Sequence, residues 1–266
     1  MIPRTLISAL VFTGSLAIAA NAGKGILLED LTWQEAEKIL KPETIIVIPI
    51  GAESKEHGPH LKLKNDWLMA EYLKNEVLKR SDVVVAPTVN YHYYPAFVEY
   101  PGSTNLRIET ARDLMVDITR SLAHYGPRRF YALNTGVSTM RPLRMSAEIL
   151  AADGITFRFT DLLKVNEAAE KQVRQEEGGT HADEIETSMM LFIAPSSVDM
   201  KKAVKDYHPS NKGGLTRDPN GSGDYSASGV FGDPTLATRK KGEILVNGLV
   251  DGILKDIDAL RASPLP

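Results

Sequence analysis

The sequence predicts an α/β fold, a three-layer α/β/α arrangement around a mostly parallel sheet, and two observations carry that expectation. Apolar runs with strand character recur at 44–50, 82–86, 129–133 and 155–159, and segments with helical patterning separate them at 67–79, 108–124 and 141–152. Such alternation is the signature of strand–helix–strand units, which place helices on both faces of a parallel sheet. The second observation is size and composition: 266 residues, 43% apolar and 24% charged, suit one sizeable domain with a full core. No internal repeat interrupts it.

Taken in order, the elements begin with a leader. Arg4 precedes an apolar run over 6–19, and Ala20-Asn21-Ala22 matches the small-x-small pattern of a signal peptidase site. Residues 1–22 therefore read as a signal peptide and 23–266 as a single exported domain, periplasmic or secreted. The apolar run is shorter than the roughly 20 residues of a spanning helix. Thr32-Trp33-Gln34-Glu35 reads as a capping box, because Thr32 and Glu35 can each satisfy a free N–H at a helix start. In the segment 108–124, the helical pattern carries apolar positions Leu114, Val116, Ile118 and Leu122. One long loop is expected over 207–234, rich in Gly, Asn, Ser and Asp, covering a site or a subunit contact.

A formal charge of −3 gives no electrostatic case for nucleic acid or an anionic membrane. The absence of cysteine removes disulfides, thiolate ligands and a Cys nucleophile, so any bound metal must use His and carboxylate oxygen.

The stretch 45–67, IIVIPIGAESKEHGPHLKLKNDW, has the strongest chemical content. An apolar strand ends there in Glu53, Glu56, His57, His60 and Asp66, and the carboxyl ends of strands are where open α/β sheets place their sites. Gly58-Pro59 turns the backbone so that His57 and His60 project into a crevice. Imidazole with carboxylate suits zinc and related divalent ions. Asp66 alone would serve equally well as a helix N-cap.

These residues stand in a pattern that resembles the creatininase family, metal-dependent amidohydrolases. Pro49-Ile50-Gly51, His57-Gly58-Pro59-His60-Leu61 and Asp66 are similar to the family's P-x-G, E-x-H-G-P-H-L and final Asp. Tyr100-Pro101-Gly102-Ser103-Thr104, the run His181-Ala182-Asp183-Glu184-Ile185-Glu186-Thr187-Ser188, Gly232-Asp233-Pro234, Ala237 and Lys241-Gly242 follow in the family's order. The resemblance covers nearly the whole mature chain. It implies that His57 and Asp66 are metal ligands, with Asp66 bridging when two ions are bound, and it places His181 and Glu186 at the site. Glu186 is then a further ligand and His181 or Glu184 a proton carrier, since amide cleavage needs a base for water and an acid for the departing nitrogen. One or two divalent ions are expected, zinc first, with manganese or iron as alternatives. A small-molecule substrate and a homo-oligomer, often hexameric in the family, are implied as well.

The chain departs from the pattern twice. Where the family has a Glu two residues before the first His, this sequence has Lys55, and the segment is one residue longer. A bulge would let Glu53 reach the metal; Glu56, adjacent to His57 on an extended chain, would point to the opposite face. Glu53 is the expected ligand, and Lys55 is either a fixed positive charge replacing part of a metal's role or a solvent residue. The second departure is Asn134-Thr135-Gly136-Val137-Ser138-Thr139, where Gly136 falls at the family's His ligand. A Gly-containing turn after a strand can still offer backbone N–H groups to an anion, so Asn134, Gly136 and Ser138 are read with His60 and His92 as substrate contacts. His124 and His208 read as surface residues.

The expected activity is hydrolysis of a C–N amide bond in a small substrate, cyclic amides included, by metal-activated water. The alternative is a catalytically silent binding protein that keeps the pocket with a degraded metal site. A serine hydrolase is the weakest option, because Ser138 lacks the G-x-S-x-G elbow.

Overall fold

The computed structural model describes residues 24–210 and 213–266, so the expected signal peptide lies outside the described residues. Among those described, no helix is long and apolar enough to cross a membrane.

A five-stranded parallel sheet forms the middle layer, in the order β1 (Ile26–Leu27), β3 (Val84–Val85), β2 (Ile45–Ile50), β4 (Arg129–Asn134) and β5 (Thr156–Phe159). Alternation along β2 and β4 sorts their side chains between two cores, as the pleat requires. Ile45, Val47, Tyr131 and Leu133 face one layer, packed with Met69, Leu73 and Val77 of α2 (Asn65–Arg80), Met190 of α6 (Glu184–Ile193) and Val246, Leu249 and Ile253 of α7 (Arg239–Ala262). Ile46, Ile48, Ile50, Phe130 and Ala132 face the other, against Met115 and Val116 of α3 (Ile108–Ala123) and Leu143 and Leu150 of α4 (Met140–Ala152). The three-layer architecture is as predicted.

Several elements differ in extent. The strand expected over 82–86 pairs only at Val84–Val85, and the edge strand β1 is too short for its pattern to register in sequence. The capping box holds: Thr32 Oγ1 accepts from Glu35 N and Glu35 Oε2 from Thr32 N at 2.8 Å, starting α1 (Trp33–Ile39). Within the long loop a small parallel ribbon forms from β6 (Leu215–Thr216) and β7 (Asp224–Tyr225). A short helix, α5 (Glu167–Val173), precedes the His181 segment.

The contact of α6 with α7 depends on the lack of a side chain at Gly242. A Cβ there would stand 1.8 Å from the Ser188 carbonyl oxygen and 3.0 Å from Phe192 Cβ. Substituting Gly242→Ala must therefore push the helices apart, and overpacking of this kind costs about 1–3 kcal/mol. We expect a thermal melt lowered by several degrees; an unchanged melt would mean that α6 and α7 do not approach this closely.

Register fixes where the site lies. Ile50 pairs with Asn134, so β2 and β4 end side by side and the segments following both open onto the same edge of the sheet.

Candidate metal centre

After β2 the chain passes so close to the first turn of α2 that Gly51 is required. A Cβ at Gly51 would lie 2.4 Å from the Asp66 carbonyl oxygen. This approach lays residues 52–57 over the start of α2, whose cap position is Lys64 with no side-chain hydrogen bond. Asp66 is thus free of the capping duty and points inward, 1% exposed.

Three side chains meet there. His57 Nδ1 donates to the Lys55 carbonyl at 2.9 Å, which turns Nε2 toward Asp66 Oδ1 at 2.6 Å and Glu186 Oε1 at 3.4 Å. The Lys55 ammonium stands 2.7 Å from Asp66 Oδ2 and lies over the rings of Phe97 and Tyr94, 4.8 and 5.6 Å from their centroids. Glu186, in the first turn of α6, accepts from Asn65 Nδ2 at 3.0 Å and from Ala182 N at 2.7 Å. Asp183 caps that helix by accepting from Glu186 N at 2.8 Å.

His181 enters from the opposite side. Its Nε2 donates to Glu56 Oε1 at 2.7 Å, leaving Nδ1 3.8 Å from Glu186 Oε2. Glu56 is held in turn by the Gly58 N–H at 2.8 Å. The His181 ring lies 5.0 Å from His57 and 4.3 Å from Phe97, centroid to centroid.

Charge dominates this cluster. Burial by itself would lower the His57 pKa, but the Asp66 carboxylate overrides it and lifts the imidazole to about 9. Burial would raise Asp66, yet Lys55 and His57 hold it below the usual carboxylate range. Glu186 follows the same logic, with burial outweighed by His57 and His181. Asp183 goes the other way, pushed well up by burial and by Glu176.

A buried and a half-buried carboxylate, Asp66 and Glu186, facing one imidazole nitrogen whose partner nitrogen already donates, call for a cation between them, either a proton or a metal. Donor atoms of His57, His181 and Glu186 all lie within 4.8 Å of one another. His57 and Glu186, with Asp66 on the same imidazole nitrogen, are chemically suitable donors for one divalent ion, and His181 stands beside them. Among the described residues, a second ion finds no comparable set. Asn134 folds back on its own turn, donating to the Gly136 carbonyl at 2.7 Å and accepting from Gly136 N at 3.1 Å, and Ser138 Oγ donates to the Tyr93 carbonyl at 2.9 Å. Gly136 and Ser138 instead line a cavity of about 540 Å³ together with Lys55, Phe97, His181 and Glu186.

Of the residues singled out in the sequence, His57, Asp66, His181 and Glu186 converge, and Gly136 and Ser138 reach the same cavity. Others stand apart. Glu53 faces outward, accepting from Asn90 Nδ2 at 2.9 Å and lining a separate hollow with Lys62 and Lys64. No bulge redirects it, and Glu56 turns inward instead, onto His181. The Glu184 carboxylate is buried away from the cluster, accepting from Gln175 N at 2.8 Å and Glu176 N at 2.7 Å and pairing with Lys241. It pins the 174–176 segment to α7. His60 pairs with Thr187 Oγ1 at 2.8 Å beneath the site, its pKa lowered by burial to about 4. His92 is likewise buried and lowered to about 4, packed against the backbone at Ala111 of α3. Sequence reasoning misses Asn65 and the Ala182 N–H, and nothing in their residue types signals a role.

Comparison with known proteins agrees with this geometry. The profile of the family described as creatinine amidohydrolase matches residues 29–257. Creatinine amidohydrolase of Pseudomonas putida is 28% identical over 260 residues, covering 90% of this chain and 97% of that protein. A 3-dehydro-scyllo-inosose hydrolase of Thermotoga maritima is 26% identical over 259 residues, covering 87% and 82%. The solved manganese form of creatininase superposes with a TM-score of 0.76 at 24% identity, over 90% of this chain and 100% of that one. With the fold, the motif order and the matched span all in accord, the chain belongs to the creatininase family.

Proposed function

We propose that this protein is a metal-dependent hydrolase that cleaves a C–N amide bond in a small substrate, cyclic amides included. The observation that carries the proposal is His57 Nε2 set between Asp66 Oδ1 and Glu186 Oε1, an arrangement that is stable only around a cation. His57, Asp66 and Glu186 would hold the ion, zinc first and manganese or iron as alternatives. When bound, such an ion polarises a carbonyl and makes water acidic enough to attack at neutral pH.

The chain's own residues do the rest. His181 has its Nε2–H fixed on Glu56, so Nδ1 is the atom left to take the proton of the attacking water and return it to the departing nitrogen. Asp183 orders the first turn of α6 and thereby Glu186. A cavity of about 540 Å³ is of small-molecule size, and Phe97 supplies an apolar wall. Named relatives that are hydrolases of unlike substrates support the reaction class and leave the substrate to the cavity walls. The leader pattern at Ala20-Asn21-Ala22 supports export to a periplasm-like compartment, and family resemblance supports a homo-oligomer.

The test is metal content of protein purified without chelator, together with amine release from a panel of small cyclic and linear amides. We expect about one ion per chain and hydrolysis of at least one amide, both lost in Glu186→Gln. Protein that stays metal-free after supplementation with zinc, manganese and iron in turn would overturn the reading and leave a binding protein.

A further inference from the structure

Lys55 is 5% exposed, and a lysine that deep in a protein needs a reason. Its ammonium is fixed by Asp66 Oδ2 at 2.7 Å below and by two aromatic faces beside it, while the side chain also lines the cavity that His181 and Glu186 border. It reaches this place because Lys55 and His57, two apart on an extended segment, fall on the same face, so both meet Asp66.

The charges around it are informative. Asp66, Glu186 and Glu56 are the carboxylates that touch the two imidazoles. Against these three negative charges stands one ammonium, which leaves two unmatched, the charge of a single divalent ion. A second divalent ion would leave the buried cluster with two uncompensated positive charges. It would also have to compete for Asp66 Oδ2 with an ammonium already in contact. The donor-poor turn at Gly136 offers no replacement ligand on that side.

We propose that the Lys55 ammonium is the second cation of this site: it limits the centre to one divalent ion and holds the negative charge that develops on the substrate's carbonyl oxygen. The proposal rests on the hydrolase reading above. In the step it serves, the oxygen of water bonds to the carbonyl carbon and the C–N bond breaks. The proton of water passes by way of His181 Nδ1 to the departing nitrogen, and Lys55 neither gains nor loses a proton. An ammonium donor held in a partly closed pocket needs no reorganisation when the oxyanion forms, and preorganised donors of this kind are worth roughly 10²–10³ in turnover.

Zinc titration of chelator-stripped protein by calorimetry tests it, with wild type beside Lys55→Met and Lys55→Arg and circular dichroism as the check of folding. We expect wild type to take up one zinc per chain. Lys55→Met should bind zinc at least tenfold tighter, because a like charge is removed and Asp66 is released, while amide turnover falls about a hundredfold or more with little change in KM. Lys55→Arg, which keeps the charge, should retain the wild-type zinc affinity within a few fold. A lysine that merely fills space gives the opposite signature, with zinc affinity unchanged or weaker in Lys55→Met, and that result overturns the proposal. Two zinc ions on wild type overturn it as well while leaving the hydrolase reading intact. No zinc on wild type overturns the hydrolase reading itself. Should Lys55→Met fail to fold, the stoichiometry of wild type and the Lys55→Arg affinity still decide.

Discussion

Asp66→Ala is expected to abolish metal binding and to destabilise the metal-free protein by about 3–5 kcal/mol, the usual consequence of removing one partner of a buried ion pair. Both Lys55 and His57 depend on this carboxylate, at 2.7 and 2.6 Å, and Lys55 is 5% exposed. Its removal leaves an ammonium in a pocket otherwise walled by Phe97 and Tyr94. Most of the loss comes from that stranded charge rather than from the contacts themselves. The double variant Asp66→Ala with Lys55→Met should accordingly regain most of the stability and none of the metal affinity. Denaturant unfolding of the wild type, both single variants and the double variant gives the coupling directly. A single-variant loss below about 1 kcal/mol would mean that solvent reaches Lys55 freely, against its burial.

The second large effect is the pH dependence of the metal-free protein. The His57 pKa stands at about 9, above the ordinary histidine value of about 6.5. The folded state therefore binds a proton that the unfolded state releases between those values, and stability must fall as pH rises through that window. The contribution, about 3 kcal/mol, is fully present below pH ~6.5 and gone above pH ~9. Asp66 and Glu186 act at the other end: both are held below the usual carboxylate range, so their contribution is present above about pH 4.5 and is lost as the solution becomes strongly acidic. His60 and His92, lowered by burial to about 4, leave the unfolded state binding more protons than the folded one below pH ~6.5, so chelator-stripped protein should be most stable near pH ~6.5 and lose stability on either side. A bound divalent ion displaces the His57 proton, so the alkaline decline should shrink with zinc present. Melting curves from pH 5 to 9.5 with and without zinc check this, and a flat alkaline limb without metal would show that His57 is neutral throughout.

Much of the fold is legible in sequence because its strands are buried on both faces and its helices are amphipathic, which gives two distinct periodicities to read. The exceptions have physical reasons. Ile26–Leu27 and Val84–Val85 are too short to carry a period, although both pair in register within the sheet. The 24-residue α7 carries apolar residues at helical spacing, Leu245, Val246, Leu249, Val250, Ile253 and Ile257, although the strand and helix runs predicted above stop short of it.

The site is a different matter. His181 and Glu56 are 125 residues apart in sequence, and only the shared motif order hints that they meet. Alternation along an extended chain correctly sends Glu56 away from the His57 side, but it cannot tell that His181 waits on that other face. Lys55 is the harder case. As a residue type it prefers water, and its burial follows from Asp66 and from the rings of Tyr94 and Phe97, none of them its sequence neighbours.

The close passage of Gly51 over Asp66 also divides the pocket's tolerance of change. On that side the strand end, the lysine-bearing segment and the helix start are in backbone contact, so an insertion or deletion there would misplace every charged group at once. Across the cavity, the wall is built partly by the 207–234 loop, with Leu215 and Asp224 among its lining residues, where length and composition can drift at little cost to the donors. One rim of this pocket is thus free to be remodelled by variation or by an engineer seeking a new substrate, while the other must be inherited whole.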